Sequence, residues 1–279
     1  MYKHFIITRF NLKIEGLSIQ DKNKKTVRTE QWLQQRFILF EKYCLPSIMN
    51  QSKKDFIWFV LFDVETPQFY LDKIKEYELQ FPLFKPIFLL SGDYDTVKTM
   101  FNNEIIKYID ENDKYIITSR VDNDDALHID YIKNIQKKYK PQHNIFISFT
   151  YGLQYDINKK VLALMYYKNN HFVSRIEKIT DSINTVITHD HTYIDKAGSV
   201  VYLNNRSKPM WLEIIHDDNI INNLYPTSIP LFFKKVGKCF YINDILNISI
   251  SNTIVSFTKY IRINTLIKLH RFLKSHNKP

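Results

Sequence analysis

Through the first half of the chain, short apolar runs alternate with stretches in which apolar positions recur at helical spacing. His4–Phe10 predicts a strand, and the polar, basic segment Lys13–Arg28 predicts a loop. Thr29 is placed to cap a helix carrying Leu33, Phe37, Phe40 and Cys44 on one face, with Pro46 and Asn50 ending it. Phe56–Phe62 is seven apolar residues in a row, the pattern of a central strand covered on both faces. Pro67 opens a helix to about Gln80, and Pro86–Leu90 is another apolar strand. Thr96–Ile109 has Val97, Met100, Phe101 and Ile105 in phase, and Tyr115–Ser119 is a fourth strand. This alternation predicts an α/β fold: a mostly parallel, doubly wound sheet with right-handed crossovers.

Beyond Asp130 the pattern changes. Asn144–Phe149 is apolar, and Tyr151–Tyr155 and Val161–Tyr167 flank Asp156-Ile157-Asn158-Lys159, predicting a hairpin. Residues 168–210 read as irregular, apart from a short strand near Val200–Leu203, and Trp211–Ile215 resumes order. Near the end, Leu266, Leu269, Phe272 and Leu273 fall on one side of a helix and Lys268, Arg271 and Lys274 on another. The division expected is one domain over 1–258 and a basic amphipathic C-terminal helix over 259–279.

Composition narrows the function. With 44% apolar and 15% aromatic residues the chain has a real core. Its cysteines, Cys44 and Cys239, are far apart and read as buried, reduced thiols, which fits a cytoplasmic protein. No apolar run approaches the roughly 18 residues of a spanning helix. The net charge of +10 points to an anionic partner or to a solvated basic face. Six Lys/Arg and no acid lie from Lys259 onward, so that helix is expected to meet an anionic membrane, at the inner face, or to pack on the domain. Only five glycines occur and no glycine-rich phosphate loop can be written. Phosphates would have to be held by a metal or by cationic side chains.

The strongest chemical signal is Arg120-Val121-Asp122-Asn123-Asp124-Asp125, directly after a predicted buried strand. Ligands of open α/β sheets bind beyond the carboxyl ends of the strands. Clustered carboxylates raise each other's pKa unless a cation sits among them, and Mn²⁺ or Mg²⁺ would also bridge to a diphosphate. The plainer alternative is capping of a helix starting near Leu127. Asp63 also follows a buried strand, where it can face a base or ribose or serve as a turn residue. His216 is placed to complete the metal sphere with Asp124, and Asp217 or Asp218 to act as general base or to cap a helix. His189-Asp190-His191 has no third zinc ligand nearby and reads chiefly as a polar loop over the site, with Asp190 as a fallback base. Arg9 and Asn11 close the first strand, where they can touch a nucleotide, and Arg120 and the basic tail can neutralise a leaving diphosphate; the alternative for each is a surface charge.

Taken together, these residues resemble the bacterial rhamnosyltransferases, a branch of the GT-A glycosyltransferases. Thr8-Arg9-Phe10-Asn11, Trp32-Leu33 with Arg36, Phe40-Glu41, Leu45-Pro46-Ser47-Ile48 with Gln51, Phe56-Ile57-Trp58 and Phe62-Asp63 carry the likeness. So do Arg120–Ala126 and Trp211-Leu212 with His216 and Asn219. The resemblance implies a GT-A fold and a nucleotide-sugar donor, with dTDP-rhamnose named by the family. It implies Asp124 as metal ligand, Asp122 toward ribose and metal, and Asp63 toward the base. The acceptor would be a glycan or lipid-linked glycan of a surface polysaccharide. The basic tail has no counterpart in the family pattern. A nucleic-acid-binding or metal-dependent nuclease function is the alternative, but the basic residues gather at the tail rather than in a recognition motif, so nucleic acid is not the expected partner.

Overall fold

A computed structural model describes residues 1–15, 29–181, 183–188, 190–217, 219, 223–232, 237–242 and 247–276, the last six of these by backbone alone. The apolar runs pair as β1 (Tyr2–Arg9), β2 (Ile57–Asp63), β3 (Phe84–Leu89) and β4 (Tyr115–Arg120). All are parallel, with β1 between β2 and β4. In β2 alternate residues point to opposite faces. Trp58, Val60 and Phe62 join one core with Phe37, Phe40 and Tyr70, and Phe59 and Leu61 join another with Phe5, Phe101 and Ile105. Each such aromatic contributes about 1.5–3 kcal/mol by burial. Helices α1 (Glu30–Leu39), α2 (Leu45–Met49), α3 (Gln68–Gln80) and α4 (Tyr94–Ile106) connect these strands.

Thr29 caps α1 as expected, its hydroxyl accepting from Trp32 N at 3.2 Å. Pro46, however, does not stop the helix. A π turn over Phe40–Cys44 intervenes, with Leu45 N bonded to Phe40 O, and the helical path continues to Met49. The wider turn relieves the clash a proline ring makes with the carbonyl of the preceding turn. Nor does a helix start near Leu127. Ala126–Leu127 is a short strand, β5, and α5 (Tyr131–Lys137) begins later.

The main sheet runs β10-β6-β9-β4-β1-β2-β3. Here β6 is Ile145–Phe149, β9 is Ser174–Lys178 and β10 is Ser199–Leu203. β9 lies antiparallel between β4 and β6, inside the stretch that reads as irregular. A second sheet, β12-β8-β7-β11-β5, contains the predicted hairpin as β7 (Tyr151–Asp156) and β8 (Val161–Tyr166), with β11 (Trp211–Ile215) and β12 (Ile229–Leu231). Gly152 lies under Trp211, where a Cβ would come within 1.9 Å of the indole. The mostly parallel sheet flanked by helices is the architecture expected.

Short helices α6 (Ile194–Ala197) and α7 (Gly237–Phe240) follow, then α8 (Ile250–His276), which starts ahead of the expected boundary at 259 and packs first on β12 and β8. Both cysteines are free, but Cys239 is exposed rather than buried. No helix among the described residues is long and apolar enough to cross a membrane.

Candidate active site

The carboxylate motif leaves β4 at the carboxyl edge of the parallel strands and is tied to β1. Val121 N donates to Ile7 O at 3.2 Å, and Asn123 Nδ2 donates to Phe10 O at 3.1 Å. The loop then sends its carboxylates to two places.

Asp124 meets α1 and the end of β11. Its Oδ2 accepts from Arg36 Nη1 at 2.5 Å, His216 Nε2 at 2.8 Å and Asn219 Nδ2 at 3.2 Å. Arg36 also donates to Asn123 Oδ1 at 3.1 Å. Burial disfavours the Asp124 charge, but the Arg36 guanidinium and the His216 hydrogen bond outweigh it and hold the carboxyl at about 2.

Asp122 and Asp125 turn to the other side. Asp122, one-third exposed, makes a two-pronged pair with Arg120, both contacts at 3.0 Å. Enclosure by protein works against its charge, yet Arg120, His171 and Arg9 keep it well below the usual carboxylate range. Asp125 is fully buried. Its Oδ1 accepts from Ile214 N at 2.8 Å and its Oδ2 lies 2.8 Å from His171 Nε2. Burial, then the charges of Asp124 and Asp122, push its carboxyl well up. Burial also lowers His171. Among the described residues, Asp122, Asp125 and His171 form a group whose donor atoms lie within 4.8 Å of one another. Two carboxylates with an imidazole could hold a divalent ion, which would relieve the repulsion that raises Asp125. Of the expected trio of Asp122, Asp124 and His216, the structure brings Asp124 and His216 together around Arg36 and sets Asp122 beside Asp125 and His171.

Arg9 lines a cleft with Leu61, Tyr94, Lys98, Phe101 and Ile187, at the carboxyl ends of β1 and β2. Tyr94 closes one wall, its hydroxyl donating to Ile187 O at 2.6 Å. Asn11 is spent on the scaffold: it donates to Thr66 Oγ1 and accepts from Asp63 N, both at 3.0 Å. Asp63 is buried at the same edge, accepting from Glu65 N at 2.8 Å and from the Ser91 hydroxyl. Asp190 caps a single helical turn, accepting from Thr192 N at 2.9 Å, and stands 3.6 Å from His191 Nδ1. Asp217 sits exposed in the turn after β11. Asp218 and His189 lie outside the described residues.

Glu213 was not anticipated. It sits on β11 beside its register partner Gln154, which donates to Glu213 Oε2 at 2.6 Å. Burial pushes its carboxyl up to about 7; Asp125 and Asp124 add to the rise, while His171 and the Gln154 amide oppose it. A carboxylate within Trp211-Leu212-Glu213-Ile214-Ile215 was the visible signal. His171 carried none, because nothing marks it in sequence.

The family model described as "Putative rhamnosyl transferase" matches residues 3–227. The chain belongs to that family. No curated protein sequence matches it significantly. Among solved structures it is similar to Staphylococcus aureus TarS at 14% identity and TM-score 0.39, covering 76% of this chain and 37% of TarS. It is also similar to TarS residues 1–349 in complex with UDP-GlcNAc, at 12% identity and TM-score 0.41, covering 93% and 71%. A third is the 4-diphosphocytidyl-2C-methyl-D-erythritol synthase of Anaerococcus prevotii, at 10% identity and TM-score 0.32, covering 93% and 98%.

Proposed function

We propose that the protein transfers a sugar, rhamnose by its family, from a nucleotide-sugar donor to a glycan or lipid-linked glycan acceptor of a surface polysaccharide. The observation that carries this is the convergence of Arg9 and Arg120 with Asp122, Asp125 and His171 at the carboxyl edge of the parallel strands. The nucleotide occupies the cleft of Arg9, Tyr94 and Lys98. Asp122, Asp125 and His171 would hold Mn²⁺ or Mg²⁺, whose charge offsets that of the departing diphosphate. Arg120 and Arg9 add fixed positive charge there.

Of the candidate bases, Asp190 stands on the same side as His191 and Arg120. Its hydrogen bonds from Thr192, offset in part by burial, keep its carboxyl low, so it is ionised and ready to accept a proton at neutral pH. The acceptor hydroxyl loses its proton to Asp190, its oxygen bonds to the anomeric carbon, and the electron pair of the broken bond leaves with the nucleoside diphosphate.

Calorimetric titration with UDP, dTDP, GDP and CDP, each with and without Mn²⁺, tests this. Metal-dependent binding of one nucleotide, weakened at least about tenfold by Asp122→Asn, is the expected result. If folded protein binds none of the four with metal present, the proposal fails.

α8 joins this function to a surface. Ile254, Val255, Ile261, Leu266 and Leu269 are about half exposed along it, and no acidic residue follows Asp244. We place this face on an anionic membrane at the inner leaflet, where each Lys or Arg contributes about 1 kcal/mol.

A further inference from the structure

Beside the carboxylates a line of rings runs outward to solvent. His171, bonded to Asp125, lies 5.8 Å from the His191 ring. His191 meets Tyr167 edge-on at 6.4 Å, and Tyr167 meets Tyr225 at 5.9 Å with the planes 37° apart. Tyr225 is 45% exposed. Burial raises the Tyr167 phenol, and Tyr225, Glu213 and Asp190 raise it further, which sets all three around it.

The segment bearing Tyr225 is fixed by one fully buried amide. Gln154 Oε1 accepts from Tyr225 N at 3.1 Å and Ser228 Oγ at 2.9 Å, while Gln154 Nε2 donates to Asn223 O at 3.3 Å and to Glu213. An aromatic face thus stands beside Glu213, Asp190 and His191. Aromatic rings offer a large apolar face at low entropic cost, and flanking acceptors read hydroxyl groups. A pyranose presents that combination, with C–H faces and an equatorial rim of hydroxyls.

We propose that Tyr167 and Tyr225 form the acceptor subsite, stacking a pyranose ring of a glycan whose hydroxyls are bonded by Asp190, His191 and Glu213. The subsite rests on the glycosyltransferase function proposed above and adds that the acceptor is recognised through a sugar ring next to the reacting hydroxyl, rather than through a lipid or peptide portion.

Saturation-transfer NMR tests it on the full chain with Mn²⁺ and the nucleotide found by calorimetry. The probes are the methyl glycosides of L-rhamnose, D-glucose, D-galactose and N-acetyl-D-glucosamine. At least one is expected to show transfer to its ring protons, with its dissociation constant weakened about tenfold by Tyr225→Ala and retained by Tyr225→Phe. Nucleotide affinity should stay unchanged in both variants, which also reports that they are folded. Two outcomes overturn the subsite and leave the donor function standing: nucleotide binding with no transfer to any glycoside, or transfer that survives both Tyr225→Ala and Tyr167→Ala. Failure of nucleotide binding as well sinks both.

Discussion

Removing the guanidinium of Arg36 strands a charge. The Arg36 and Asp124 side chains are 9% and 7% exposed, and their contact is 2.5 Å. In Arg36→Met the methionine fills the stem's volume, but Asp124 keeps only His216 and Asn219 as donors, and Asn123 Oδ1 loses its partner. Breaking one side of a buried pair costs about 3–5 kcal/mol. With a urea m-value of about 1–3 kcal/mol/M, the midpoint moves down by at least about 1 M. Urea denaturation at pH 7, followed by tryptophan fluorescence, reads this directly, since Trp32 lies 5.0 Å from Arg36. Asp124→Asn removes the same ion pair from its other side, so Arg36→Met with Asp124→Asn should be less destabilised than the sum of the two by at least about 1.5 kcal/mol. The folded Asp124 carboxyl is depressed from 3.8 to about 2, so its stabilisation is present above pH 4 and is lost as pH falls through about 2. The wild type and Arg36→Met should therefore converge in acid. Additivity within about 0.5 kcal/mol at pH 7 would refute the pairing.

Two further outcomes are expected. Burial lowers His4 to about 3 and His128 to about 4, and His128 Nδ1 accepts from Asp130 N, so both are neutral in the folded chain and protonate more readily when unfolded. Stability from these two should be full above pH 6.5 and fall toward pH 4 by about 1.4 kcal/mol per pH unit for each; a melting temperature flat from pH 7 to 5 contradicts this. On vesicles containing anionic lipid the protein should sediment, and Leu266→Glu with Leu269→Glu should abolish this. Unchanged sedimentation removes the membrane role for α8.

The parallel half of the main sheet was legible because seven apolar residues at 56–62 leave little choice but a strand covered on both faces. β9 was not. Ser174-Arg175-Ile176-Glu177-Lys178 looks polar, yet Arg175 and Glu177 are buried: Arg175 bonds the carbonyls of Asn184 and Thr185, and Glu177 accepts from Asn184 N. Their partners lie on a neighbouring loop, and nothing local announces them. The candidate site divides the same way. Asp122, Asp124 and Asp125 stand out by crowding, whereas their division between Arg36 and His171 depends on α1 and on the loop before β9, far away in sequence. Asp63 and Asn11 reach the strand ends their positions foretold, but as ties between loops.

The middle residue of the Asp122-Asn123-Asp124 triplet joins the residue just past β1 to α1, donating to Phe10 and accepting from Arg36. An aspartate there could not donate to the Phe10 carbonyl, and an alanine could do neither. Position 123 is thus not a free letter between two acids. A database pattern requiring asparagine there together with an arginine at the place of Arg36 would separate proteins built this way from the many that carry two spaced aspartates by chance.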